Sequence, residues 1–106
     1  MHRAQANSDV FRAIADPTRR AILDRLRAGP ANAGSLAADF RQTRPAISKH
    51  LRVLREARLV VDSAVGRERL YKIDPVPLQT AAGWLEGYRV FWQSSLTRLK
   101  RNLEGK

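Results

Sequence analysis

Apolar residues recur at helical spacing in five stretches of this chain, with one pair of strand-like runs between the fourth and the fifth. Val10, Phe11 and Ile14 share one side of a short first helix that Ser8 can cap, and residues 1–7 read as a frayed lead-in. Asp16-Pro17 opens the second helix, because the residue before a proline avoids the α region as an N-cap does, and proline suits the first helical position. Ile22, Leu23 and Leu26 form its stripe, and Gly29-Pro30 stops it after about residue 28. Residues 31–34 read as a connection, and Ser35 to about Phe40 as a short helix burying Leu36 and Phe40. After the turn at residues 41–43, Thr43 can cap a fourth helix through its hydroxyl, Pro45 falls in its first turn, and Ile47, Leu51 and Leu54 give it an apolar face.

Leu59-Val60-Val61-Asp62 and Arg69-Leu70-Tyr71-Lys72-Ile73 are β-prone and have Gly66 between them, which predicts a β-hairpin. Pro75 and Pro77 lead into the last segment, where Leu85, Tyr88, Trp92, Leu96, Leu99 and Leu103 recur at steps of three or four, so residues 75–104 read as one long amphipathic helix. Trp84 and Phe91 widen its stripe, placing four of the seven aromatics between residues 84 and 92. That is more than one helix can hide beneath a small domain, and it points to a partner surface; an aromatic ligand pocket and an intramolecular core are the other uses. Gly83 and Gly87 each cost about 1 kcal/mol of helix propensity, which fits the close approach of a second helix. The expected fold is mainly α with a small β-hairpin: a winged helix-turn-helix of five helices and a two-stranded wing, one domain over residues 1–106. A 12.0 kDa chain buries only about two thirds of its unfolded surface, so a dimer interface would add needed stability.

Charge narrows the list of partners. Twenty Lys and Arg against ten Asp and Glu leave a formal charge of +10, which suits a polyanion. RNA, ribosomes, anionic membranes and a plainly soluble basic surface are equally compatible with charge alone. Arrangement separates them. Steps of 100° place Ser48, Lys49 and Arg52 opposite the apolar face of the fourth helix, with Arg44 and Arg55 flanking. Two helices joined by a three-residue turn, the second basic and amphipathic, have the layout of a helix-turn-helix that presents its second helix to DNA. Arg67 and Arg69 stand near the hairpin tip, able to reach phosphate or a minor groove, or else to form a solvated tip partly offset by Glu68. His50 projects beside Ile47 and Leu54, as a DNA contact or as a half-buried structural histidine.

With no cysteine there is no disulfide framework and no thiolate, as suits a reducing cytoplasm. No apolar run approaches the roughly 18 to 20 residues that span a bilayer, and the N-terminus lacks the apolar core of a signal peptide, so a cytoplasmic protein with no membrane partner is expected. There is no glycine-rich phosphate loop, no paired-carboxylate cleft and no nucleophile with a plausible base, so catalysis is not expected.

Three motifs, Ala15-Asp16-Pro17-Thr18-Arg19-Arg20-Ala21-Ile22-Leu23, Arg44-Pro45-Ala46-Ile47-Ser48-Lys49-His50-Leu51 and Leu54-Arg55-Glu56-Ala57-Arg58-Leu59-Val60, resemble in their order the ArsR family of bacterial winged-helix repressors, over about residues 8–103. The resemblance implies a homodimer held by the first and last helices, with Val10, Phe11, Trp84, Tyr88, Phe91, Trp92, Leu96 and Leu99 as dimerisation residues. It also implies a palindromic double-stranded DNA operator, contacted through Thr43, Arg44, Ser48, Lys49, His50, Arg52, Arg67 and Arg69, and repression by occupying a promoter. Metal-sensing members use cysteines around the third helix, or histidines and carboxylates along the last. Here the histidines are His2 and His50, and the last helix offers Glu86 and Glu104, so no metal or other cofactor is expected and no inducer is named. Arg44 stands where the family commonly carries an uncharged polar residue such as glutamine. Arginine favours guanine and glutamine adenine, so the operator should differ there if Arg44 reaches a base edge rather than phosphate. The alternative function is a basic winged-helix module that binds protein or RNA without operator specificity.

Overall fold

Caps and turns in the sequence place most of the elements. A computed structural model describes residues 3–105, with side chains from Ser8 onward. Its elements in chain order are α1 (Arg3–Ile14), α2 (Pro17–Leu26), α3 (Ala33–Phe40), α4 (Arg44–Glu56), β1 (Val60–Val65), β2 (Glu68–Ile73) and α5 (Val76–Glu104). The five helices and single hairpin match the expected class. Asp16 caps α2 by accepting the Arg19 amide at 3.0 Å, and Thr43 Oγ1 caps α4 by accepting that of Ala46 at 3.2 Å. Among the described residues no helix is long and apolar enough to cross a membrane.

Three boundaries differ from expectation. Residues 3–7 are helical rather than frayed, and Ser8 lies inside α1 instead of capping it; Ala4, Gln5 and Ala6 are good helix formers with no breaker among them. Residues 1 and 2 of the expected lead-in lie outside the described residues. Helix α3 begins at Ala33, two residues before the expected Ser35, because Asn32 Oδ1 accepts the Ser35 amide at 2.7 Å and caps the helix. Helix α2 closes at Leu26, and Arg27 and Ala28 form the turn.

Helices α3 and α4 close alike. Arg41 (φ +52°) and Arg58 (φ +63°) adopt the left-handed conformation just past each end, and the following amides reach back, Gln42 to the Ala37 carbonyl at 3.0 Å and Leu59 to that of Leu54 at 2.9 Å. Past Arg58 the chain enters the wing. There β1 and β2 pair antiparallel from Val60↔Ile73 to Val65↔Glu68, leaving Gly66 and Arg67 as a two-residue turn with Gly66 at φ +62°. Ala31 and Tyr71 exchange backbone hydrogen bonds of 3.1 and 2.9 Å, which fasten β2 to the start of α3.

Helix α4 runs through the middle. Its Ile47, Leu51 and Leu54 pack with Ile22, Leu36, Leu59 and Val60 in the most deeply buried part of the core. Helix α5, 29 residues and about 43 Å long, is engaged at its first turns through Leu78 and Ala81 and along its side by α1. The rest projects, so the radius of gyration is 18.3 Å where a compact chain of this length has about 13 Å.

A left-handed arginine carries a steric cost that glycine lacks. Arg58→Gly should therefore stabilise the chain by about 1 kcal/mol in urea unfolding, and a loss of stability would show that the Arg58 side chain contributes more than its backbone costs.

Candidate nucleic-acid interface

Because the apolar stripe of α4 is locked in the core, its opposite side is held outward. Arg44, Ser48, Lys49 and Arg52 are all exposed there. Thr43 is exposed too, but its hydroxyl oxygen is engaged as the helix cap. Arg44 and Ser48 of α4 and Arg67, Glu68 and Arg69 of the wing line one cleft of about 490 Å³, together with Asn32 to Gly34 and Tyr71. Lys49 and Arg52 lie beyond that cleft, further along the same helix.

The two wing arginines differ in their surroundings. Arg67 makes no ion pair among the described residues, whereas Arg69 Nη1 donates to Asp62 Oδ2 at 2.6 Å. The Asn32 side-chain amide donates to Glu68 Oε1 at 2.9 Å, joining the wing tip to the cap of α3. Hairpin pairing puts Asp62 and Arg69 on neighbouring diagonal positions, a signal available once the turn is placed at Gly66-Arg67; the Asn32 contact has no such local signature.

His50 is half-buried, with Nδ1 4.0 Å from Asp16 Oδ2, and so leans toward the cap of α2. The hydrogen bond from the Arg19 amide is the main cause that holds the Asp16 carboxyl below the usual range. Desolvation opposes the lowering; the charges of Arg19 and His50 and the Thr18 amide add to it. Several other arginines are also engaged inside the chain. Arg19 donates to the carbonyls of Ala13 (2.7 Å) and Arg12 (3.0 Å), and Arg20 to those of Ile14 (3.0 Å) and Ala15 (3.2 Å), satisfying the open end of α1.

The residues expected to dimerise fall into two groups. Val10 is buried in this chain's own core, because the first helix turns one side of its stripe inward to cover α2 and α4. Phe11 is half-buried, edge-on to Trp84 with ring centroids 5.5 Å apart, and Trp84 stacks obliquely on Tyr88 at 4.9 Å. From Trp84 through Tyr88, Phe91, Trp92, Leu96 and Leu99, side chains of α5 remain between 43 and 64% exposed. A Cβ added at Gly83 or Gly87 would meet nothing within 4 Å in the single chain, leaving room for another backbone. No group of three or more His, Cys, Asp and Glu that could hold a metal ion occurs among the described residues.

Comparison with known proteins places this geometry. Residues 16–61, which contain α2, the helix-turn-helix and the start of the wing, match the family described as bacterial regulatory protein, arsR family. The chain is 46% identical to the HTH-type transcriptional regulator Rv2034 of Mycobacterium tuberculosis over 82% of this chain and 78% of that protein. It is 40% identical to the transcriptional repressor SdpR of Bacillus subtilis over 74% of this chain and 87% of that one. An ArsR-like transcriptional regulator from Rhodococcus sp. RHA1 has the same fold, with a TM-score of 0.73 and 35% identity over 92% of each chain.

The lowered Asp16 pKa has a measurable consequence. Its ionised form is favoured on folding, so its contribution to stability is complete above roughly pH 4, where an unfolded aspartate titrates, and is withdrawn as pH falls through the lower folded value. Asp16→Asn keeps a capping acceptor but not the titration. Between about pH 5 and pH 3 the thermal midpoint of the wild type should fall more steeply than that of the variant; parallel curves would remove Asp16 from the acid response.

Proposed function

This chain belongs to the ArsR family of bacterial regulatory proteins, which are DNA-binding transcriptional regulators, and on that premise we propose that it acts as a homodimeric repressor of a palindromic operator. The observation that carries this reading is the cleft in which the exposed start of α4 and the wing arginines face one volume. An α-helix with its side chains is about 10 to 12 Å across and fits the major groove of B-form DNA, about 12 Å wide; the deep, narrow major groove of duplex RNA does not admit it. The same argument disfavours the RNA-binding alternative.

Within this reading Lys49, Arg52 and Arg67 grip phosphate, Ser48 lets the helix approach the bases closely, and Arg44 enters the groove from the first turn of α4. Thr43 acts chiefly as the cap that aims that turn, and His50 acts from the helix flank, against Asp16. Phe11 and the exposed face of α5 form the two-fold interface, and the pair of α4 helices then reads two half-sites about 34 Å apart. Bound at a promoter, such a dimer excludes the transcription machinery.

Selection from random duplex DNA tests the specificity. The purified protein should enrich one palindrome and bind it about a thousandfold or more tighter than scrambled duplex; equal affinities after selection would end this reading. Lys49→Ala and Arg52→Ala should weaken all sequences alike and flatten the salt dependence, whereas Arg44→Gln should change the preferred base at one position per half-site, a contact worth about 1 to 3 kcal/mol. An unaltered selection profile for Arg44→Gln would assign Arg44 to the backbone.

The interface has a separate test. Trp92→Ala and Leu99→Ala each remove a side chain whose burial is worth about 2 to 3 kcal/mol, so sedimentation should show both shifting toward monomer, with operator affinity falling by orders of magnitude. A wild-type monomer at micromolar concentration that still bound one palindrome tightly would refute the dimer.

A further inference from the structure

Asp62 touches both parts of the proposed DNA-binding surface. It lies in β1 on the side turned toward α4, and its side chain is only 13% exposed, whereas the guanidinium-bearing side chains around it are at least half exposed. Its Oδ2 accepts from Arg69 Nη1 at 2.6 Å and lies 3.6 Å from Arg55 Nη1. One carboxylate oxygen thus joins the last turn of the recognition helix to the second strand of the wing.

On charge alone this residue is misplaced, because a carboxylate beside a polyanion adds repulsion and cancels a cation. Stability is a weak explanation as well, since ion pairs with exposed partners contribute little. Orientation is what the arrangement supplies. Arginine is long and has many rotamers, but its guanidinium is a planar fork with five donors. A carboxylate that takes one end of the fork restricts the side chain and leaves the other N–H groups available outward.

We propose that Asp62 is a specificity-determining positioning residue, which holds Arg55 and Arg69 in fixed directions so that they meet a duplex only where its backbone follows the operator's shape. The proposal rests on the operator-binding reading. Without Asp62 the two arginines gain freedom to follow any phosphate, and the wing loses a side-chain tie to α4; the Asn32–Glu68 contact and the Ala31–Tyr71 bridge hold it to the start of α3, and Leu59 and Val60 keep its base in the core. Both changes favour random duplex over operator.

The test uses the full-length protein with two probes, the selected operator and a scrambled duplex of equal composition, titrated over a range of salt. For Asp62→Asn, binding to scrambled duplex should tighten with a steeper salt slope, while the ratio of operator to scrambled affinity falls roughly threefold to tenfold. An equal shift in both affinities, or none, would reduce Asp62 to a charge and overturn the proposal. Arg55→Gln removes positive charge from an exposed position and does not depend on how well the Asp62 variant folds. It should lower the same ratio, and the double variant should lower it no further than the larger single effect. Additive losses, or an unchanged ratio for Arg55→Gln, would also overturn it. If the wild type selects no operator, the functional reading fails and this inference falls with it, whereas a selected operator with an unmoved ratio overturns this inference alone.

Discussion

The two-sidedness of α4 is the constraint on which the rest of this structure depends. Ile47, Leu51 and Leu54 are buried completely or nearly so, and they anchor the helix among residues contributed by α2, α3 and the first strand. A rotation of this helix by one residue, about 100°, would bury a cation and expose a leucine. Interior packing therefore fixes the side that carries Ser48, Lys49 and Arg52, and makes the proposed reading surface a consequence of the core. The cap at Thr43 and the left-handed turn at Arg58 fix where the helix begins and where the chain leaves it for the wing.

A surplus of ten charges does not amount to ten binding groups. Arg19 and Arg20 close the C-terminal carbonyls of α1, Arg25 pairs with Asp39 at 3.3 Å, and Arg55 and Arg69 share Asp62. Arg44, Lys49, Arg52 and Arg67 make no ion pair among the described residues, and they cluster on the outward side of α4 and the wing turn. The long-range field of the whole chain attracts a polyanion from any direction. In the proposed reading it is this smaller set, held by a helix anchored in the core and a tethered hairpin, that discriminates among duplexes.

Helix α5 sets the opposite problem. A helix whose aromatic and leucine side chains stay about half exposed is incomplete as a monomer surface, and contiguous apolar patches of this kind on soluble proteins mark interaction sites. The Phe11–Trp84–Tyr88 cluster gives the patch a rigid edge and joins α1 to it, so the proposed interface and the helix-turn-helix belong to one packed body. Through that body the separation of two α4 helices would be set by side chains far from any base.

Much of this was legible in the sequence, because the signals are local. Asp16-Pro17, Thr43 with Pro45, and the spacing of Ile47, Leu51 and Leu54 act within a turn or two of helix, and each appears in the structure as the periodicity requires. The start of α1 differs from expectation because alanine-rich propensity overrides the cap rule that Ser8 satisfies, and that of α3 because Asn32 caps the helix ahead of Ser35. Tertiary structure alone decided which apolar positions face inward. Val10 and Phe11 are neighbours in one stripe, yet Val10 is in the core and Phe11 at the edge of the α5 cluster, since burial depends on which helix crosses above each. It also decided which cations are occupied: Arg55 meets the Asp62–Arg69 pair only after the hairpin packs against α4, a contact between segments whose composition gives no sign of it. Periodicity measures how a segment divides water from core; it carries no information about which distant segment completes the contact.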